Sequence, residues 1–143
     1  MQKVVVVVSS AVSLQEELIQ AYGIRLVPEK IIIENKVYRD RIDITPHEFY
    51  PILEKSERIP TTSAPSAQDF VDAFTETAEV ADAIVCITVT KGFSQMEFQS
   101  ALAASKNFSK IPTVVIDSRA APGAYGFIAL AAAKAAAAGR DID

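Results

Sequence analysis

The sequence predicts an α/β domain in which helices cover both faces of a parallel β-sheet, a three-layer α/β/α arrangement, and three observations carry that prediction. The chain opens on an unbroken β-branched run, Val4 to Val8, of the kind a strand needs when both its faces are buried. Short apolar runs at Ala83 to Val89 and Thr113 to Asp117 then alternate with longer segments at helical periodicity, the pattern of βαβ units. At 143 residues and 50% hydrophobic composition, the chain can bury about two-thirds of its unfolded surface in one core, so residues 1–143 read as a single domain.

Each remaining element has a local reason. Ser13-Leu14-Gln15-Glu16 has the form of a capping box and predicts a helix that stops at Gly23. Ile24 to Val27 reads as a short strand. Ile31-Ile32-Ile33 and Val37-Tyr38 flank the polar Glu34-Asn35-Lys36 and predict a hairpin. Thr45-Pro46-His47-Glu48 places a cap, an N1 proline and an N3 glutamate in order, so a helix begins at Pro46 and runs toward Ser56, with Pro51 working against its regularity. Two prolines between Arg58 and Pro65 bias the residues before them to extended conformations, which predicts an ordered loop or short strand. Ser66-Ala67-Gln68-Asp69 caps a helix whose apolar positions Phe70, Val71, Phe74 and Ala78 recur at helical spacing. Helices follow at Gln95 to Lys106 and at Ala124 to Ala138, the last one ended by Gly139. No internal repeat or linker interrupts this order.

Composition excludes several classes. With 14 Lys+Arg against 18 Asp+Glu, the net charge of −4 offers no global attraction to nucleic acid or anionic lipid. A single cysteine, Cys86, permits no internal disulfide and fits a reducing compartment, so a cytoplasmic location is expected. Met1 to Val8 is too short for a signal peptide. The Ala-rich segment Ala120 to Ala138 contains Pro122, Gly123, Gly126 and Lys134 and reads as a soluble helix rather than a membrane span.

In open parallel sheets, ligands settle beyond the carboxyl ends of the strands. Those ends are rich in hydroxyls: Ser9-Ser10, Thr61-Thr62-Ser63, the run Thr90-Lys91-Gly92-Phe93-Ser94, and Asp117-Ser118-Arg119. Hydroxyls beside the unpaired N–H groups of helix N-termini make a small anion site, fit for a carboxylate or phosphate. Catalytic sets are poorly supplied. The lone His47 belongs to a first helical turn far in sequence from the strand ends and reads as solvent-facing, and Cys86 lies mid-strand, where a thiol packs inertly. Asp40 and Asp43 read as a polar turn rather than metal ligands, and Asp117 as a phospho-acceptor or a structural cap. Neither glycine-rich nucleotide-binding pattern is present. No catalytic residue, metal or cofactor is expected.

The assembled pieces resemble the DegV family of bacterial fatty-acid-binding proteins. Val27-Pro28, Tyr38-Arg39-Asp40, Asp43-Ile44 and Glu48-Phe49-Tyr50 are similar to the first part of its N-terminal domain. The family's Thr-Ser-x-Pro-Ser motif is present as Thr62-Ser63-Ala64-Pro65-Ser66 with Phe70 downstream. Its Leu-Ser-Gly-Thr and Tyr-Gln-Ser-Ala segments resemble Phe93-Ser94 and Phe98-Gln99-Ser100-Ala101, and its Val-Ile-Asp-Ser segment resembles Val115-Ile116-Asp117-Ser118.

The resemblance implies a protein that holds a long-chain fatty acid by its carboxylate and presents it to a fatty acid kinase, itself doing no chemistry. It implies that Thr62, Ser63 and Ser94, with nearby backbone N–H groups, contact the carboxylate, and that Ser9, Ser10 and Ser118 are additional candidates. Two departures stand out. The family's first strand ends in Thr-Asp-Ser where this chain has Val8-Ser9-Ser10, and Ser94-Gln95-Met96-Glu97 replaces its Ser-Gly-Thr step, bringing the negative Glu97 toward a carboxylate site. Family members also continue into a second domain that covers the acyl chain. Over the present residues an exposed apolar groove is therefore expected, covered by another copy or by a separate protein. The alternatives are an assembly or regulatory domain that has lost lipid binding, or a small acyl- or phosphoryl-transfer enzyme.

Overall fold

The structure, a computed structural model, describes residues 2–142; Met1 and Asp143 lie outside it. A four-stranded sheet forms the centre, built from β1 (Val4–Ser9), β2 (Arg25–Val27), β6 (Ala83–Thr88) and β7 (Thr113–Asp117) in the order β2-β1-β6-β7. All its pairings are parallel. Helices α1 (Glu16–Ala21) and α5 (Pro122–Ala137) belong to one face, and α3 (Ala67–Ala78) and α4 (Gln95–Asn107) to the other. The predicted α/β/α layering is what the chain adopts.

The valine run explains why both faces are covered. Val6 and Val8 pack with Ile19, Tyr125, Ala129 and Ala133 on the α5 side. Val7 turns to the opposite face and packs with Phe70, Phe74, Ala101 and Ala104. Successive side chains on a strand alternate in direction, so a strand roofed on both sides must be apolar at every position. Small residues let α5 lie close: a Cβ at Gly126 would stand 3.2 Å from the Ser13 carbonyl oxygen.

Elements between β2 and α3 form a second, smaller layer. Strands β3 (Lys30–Ile33) and β4 (Lys36–Arg39) make the predicted hairpin, with Glu34 at its turn in the left-handed region at φ 54°. The proline-flanked segment resolves as a strand, β5 (Thr61–Ser63), antiparallel to β3 with Thr62 opposite Ile31. This layer is tied to the main sheet by polar contacts. The Glu29 N–H donates to Ser10 Oγ at 2.9 Å, Lys30 Nζ meets Asp69 Oδ2 at 2.9 Å, and Arg41 Nη2 donates to the Val12 carbonyl at 3.1 Å. Helix α2 (Pro46–Lys55) has the predicted capping box between Thr45 and Glu48 and runs through Pro51, but it buries none of its residues. Val37, Tyr50 and Ile59 of this layer are exposed.

One predicted cap is not made. Gln15, not Ser13, stands at the N-cap of α1, and it forms no side-chain capping bond. Tight packing of Ser13 and Leu14 against Gly126 supplies an alternative fixed path for this stretch of chain. The stop is as expected, with Gly23 at φ 60° just beyond the helix. The capping box Ser66/Asp69 starts α3, and Gly139 at φ 79° follows α5.

At its carboxyl end the main sheet opens. Pairing of β1 with β6 runs from Val4 opposite Ala83 to Val7 opposite Cys86 and goes no further. In its place, the Tyr125 hydroxyl donates to the Ile87 carbonyl at 2.7 Å and accepts from the Ser9 N–H at 3.1 Å. A side chain from α5 thus takes the next rung of the ladder. Replacing it by Tyr125→Phe leaves a buried donor and a buried acceptor facing each other without a bridge. At about 1–3 kcal/mol for each unsatisfied group, the loss is expected to be about 2–4 kcal/mol, measurable by urea denaturation; a change below about 0.5 kcal/mol contradicts the bridge.

Candidate functional site

The strand order makes the crevice between β1 and β6 a topological switch point, because the chain leaves β1 outward to β2 and leaves β6 the other way to β7. Ser9 and Ser10 end one wall, and the loop from Val89 to Ser94 ends the other. Backbone N–H groups of that loop are committed to holding its shape. Thr90 donates to the Ala120 carbonyl, Phe93 and Ser94 donate to the Thr90 carbonyl, Gly92 donates to Thr90 Oγ1, and Lys91 donates to Asp117 Oδ1. Ser94 is the N-cap of α4 and its Oγ accepts the Glu97 N–H at 3.4 Å. The first-turn donors that helix geometry leaves free are therefore Gln95 and Met96.

Glu97 behaves differently from the sequence expectation. Its side chain is fully buried rather than turned toward a ligand, with Oε1 accepting the Val89 N–H at 3.0 Å. It reaches back from the first turn of α4 to the end of β6 and closes the loop from beneath. Its other oxygen, Oε2, has only the Ser9 hydroxyl beside it, and neither atom has a further partner. Burial pushes the Glu97 carboxyl up to about 7, the Glu29 carboxylate raises it too, and contacts with the Val89 N–H and Ser9 act in the opposite direction. Burial also raises Glu29, with a further contribution from Asp40.

The remaining candidates divide clearly. Ser9 is fully buried, and Ser10 is buried with its Oγ accepting the Glu29 N–H. Ser118 is occupied in its own turn, accepting from the Ala120 N–H at 3.2 Å. Thr62 and Ser63 are exposed on β5, in the second sheet, where Ser63 Oγ lies 3.3 Å from the Ala64 carbonyl oxygen. Ser9 and Ser94 meet through Glu97, whereas Thr62 reaches the main sheet only through β3 and the Glu29–Ser10 contact. Asp117 is a structural cap, its Oδ1 accepting from both the Lys91 and Arg119 N–H groups. Arg119 is held in the left-handed region at φ 53°. His47 is exposed, and Cys86 is fully buried, its thiol pushed up by burial.

Two open cavities flank the sheet. One of about 680 Å³ lies at the carboxyl ends of β6 and β7, lined by residues that include Thr90, Lys91, Gln95 and Arg119. A larger one of about 830 Å³ lies at the opposite end, along the part of β1 that β2 does not reach. The larger cavity is lined at α1 by the acidic Glu16, and its hydroxyl-bearing residues are Tyr22 and Thr77, neither at a helix N-terminus. Size alone therefore does not choose the site. Among the described residues no group of three or more His, Cys, Asp or Glu side chains is arranged to hold a metal ion, and no helix is long and apolar enough to cross a membrane.

A family model described as "Uncharacterised protein, DegV family" matches residues 3–143. The chain belongs to the DegV family. It is 36% identical over 139 residues to a DegV domain-containing protein of Caldanaerobacter subterraneus, covering 97% of this chain and 49% of the relative. It is 30% identical to protein DegV of Bacillus subtilis over 131 residues, 92% of this chain and 46% of that one. Among solved structures, a Thermus thermophilus DegV family protein described for its fatty acid binding is 30% identical with a TM-score of 0.85, over 99% of this chain and half of that one. The Bacillus subtilis DegV structure, described as a fatty acid binding protein, is 29% identical with a TM-score of 0.88, over 97% of this chain and 49% of that one. The chain spans about half the length of the relatives it matches.

Glu97 was legible as a departure but not as a buried group, and Tyr125 was missed as a ladder bridge. The available signal for Tyr125 was a phenol set in an otherwise Ala- and Gly-rich helix. The Glu97 environment makes a pH prediction. Between about pH 4.5 and 7 the folded chain keeps a proton that the unfolded chain has released, so stability falls as pH rises through that window and levels off above it. The displacement corresponds to about 3 kcal/mol. Denaturant unfolding at pH 5 and pH 8 is expected to show most of this difference in the wild type and little of it in Glu97→Gln; equal pH dependence in the two proteins contradicts the assignment.

Proposed function

We propose that this chain binds a long-chain fatty acid without catalysing a reaction, its carboxylate resting at the carboxyl end of the main sheet. The observation that carries the reading is the start of α4, where the Ser94 hydroxyl and the free Gln95 and Met96 N–H groups stand at the switch-point crevice with no nucleophile–base pair beside them. A helix N-terminus favours an anion by its partial positive charge, and a carboxylate accepts several such donors at once. In this reading Thr62 and Ser63, exposed on β5 of the second sheet, add hydroxyls to the carboxylate contacts. Relatives of similar fold described as fatty acid binding support this ligand class. The acyl chain then lies along apolar side chains that are exposed over the described residues, covered by a second copy or another polypeptide, and the held carboxylate is presented to a fatty acid kinase.

A second reading, an assembly or regulatory domain without lipid, is favoured by one observation: Gln95, Met96 and the acidic Glu97 follow Ser94 where the resemblance implies a glycine and a threonine. Lipid extraction and mass spectrometry of the purified chain separate the two. The proposed function predicts co-purified fatty acid or saturable uptake of added oleate. Thr62→Ala and Ser94→Ala should each weaken oleate binding by about tenfold, the worth of one hydrogen bond to a charged group. An empty chain that also ignores oleate supports the assembly reading instead.

A further inference from the structure

We propose that Glu97 is a positioning residue that makes anion binding at the start of α4 depend on its own protonation, so that the site accepts a fatty acid carboxylate only while Glu97 is neutral. The inference rests on the fatty acid reading above and concerns the same site.

The geometry leads there directly. Glu97 stands in the first turn of α4, the turn that offers Ser94 Oγ and the Gln95 and Met96 N–H groups. It is fully buried, and one oxygen holds the Val89 N–H, anchoring the loop that leads into that turn. The other oxygen has only the Ser9 hydroxyl beside it, and neither atom has a further partner. An ionised carboxylate in such a place has the Ser9 hydroxyl as its one neutral donor on that side and no counter-charge. A neutral carboxyl makes the same contact with the roles reversed, its Oε2 proton donated to Ser9 Oγ, and leaves no buried charge to be compensated.

The groups around Glu97 offer no positive charge. From β1 comes Ser9, from β6 the neutral thiol of Cys86, from α5 the neutral phenol of Tyr125, and from the stretch after β2 the acidic Glu29 with Asp40 behind it. No lysine or arginine forms an ion pair with Glu97 among the described residues; Lys30 is taken by Asp69, Arg39 by Asp43 and Arg41 by Glu16. A ligand carboxylate held by the first turn of α4 adds a negative charge beside the turn that carries the buried Glu97, and of two neighbouring carboxylates the less solvated one keeps a proton. The ligand, exposed to solvent and helix donors, keeps its charge, and Glu97 keeps the proton. Burial pushes its carboxyl up to about 7, so the binding-competent fraction falls as pH rises from 6 to 8.

The test is oleate binding by the wild type and Glu97→Gln at pH 6 and pH 8, each affinity expressed as the ratio of the two proteins at the same pH so that titration of the ligand cancels. Glutamine keeps the acceptor for the Val89 N–H and supplies a fixed donor to Ser9 Oγ. The wild-type dissociation constant relative to Glu97→Gln is expected to rise about tenfold from pH 6 to pH 8. A ratio unchanged between the two pH values, with both proteins binding, overturns the role of Glu97 and leaves the fatty acid reading standing. Absence of binding by both proteins at both pH values overturns the fatty acid reading and this inference with it. Should Glu97→Gln fail to fold, Glu97→Thr serves as the reference, with the same expected and contrary outcomes.

Discussion

The site depends on a single interruption of the β-ladder. Strands β1 and β6 pair as far as Val7 and Cys86, and one step later the Tyr125 hydroxyl stands between the Ser9 N–H and the Ile87 carbonyl. A hydroxyl can satisfy one donor and one acceptor, so the strands part without leaving either backbone group bare. Continued pairing would close the crevice; no pairing at all would leave buried polar groups at the end of the sheet. Tyr125 also fixes α5 over the valine run, which is why the Ala-rich helix has one defined seat despite having few large side chains to lock it.

Opening the ladder creates a polar interior just behind the switch point. Ser9, Ser10, Glu29, Glu97 and Tyr125 converge there, although the protein around them is packed with valine, isoleucine and phenylalanine. Two of their atoms, Ser9 Oγ and Glu97 Oε2, have no partner beyond each other. Buried atoms of this kind are costly, and their concentration next to a helix N-terminus fits a place shaped by a ligand rather than by stability alone. Hydrogen bonds inside the Val89 to Ser94 loop explain its fixed form, so the donors offered outward are confined to the first turn of α4.

The fold was legible wherever local chemistry and tertiary packing agree. The valine run, the boxes Thr45/Glu48 and Ser66/Asp69, and the glycines after α1 and α5 each have one low-energy solution, and the chain adopts it. Ser13 shows the limit: its capping pattern is valid, but close contact with Gly126 on a helix more than a hundred residues away sets the backbone there. The separate antiparallel sheet was half legible, because a hairpin is local whereas the pairing of β5 with β3 spans a helix. At the site, hydroxyls at strand ends were readable from sequence since strand ends are. Which hydroxyls are accessible was not, because Ser10 is buried against the Glu29 N–H, a contact that only the folded chain makes.

The two ends of the sheet offer the sharpest contrast between this account and its competitors. The central claim is that the anionic group binds at the carboxyl end of the sheet and not in the larger cleft at the amino end. Amide chemical shifts of the labelled chain, followed by NMR during an oleate titration at pH 6, test it directly. Saturable shifts at Thr62, Ser63, Ser9, Ser10 and residues 89–97 are the predicted result. Shifts confined to Gln2 to Val6 and Ala133 to Gly139, or no saturable shift anywhere, would contradict it.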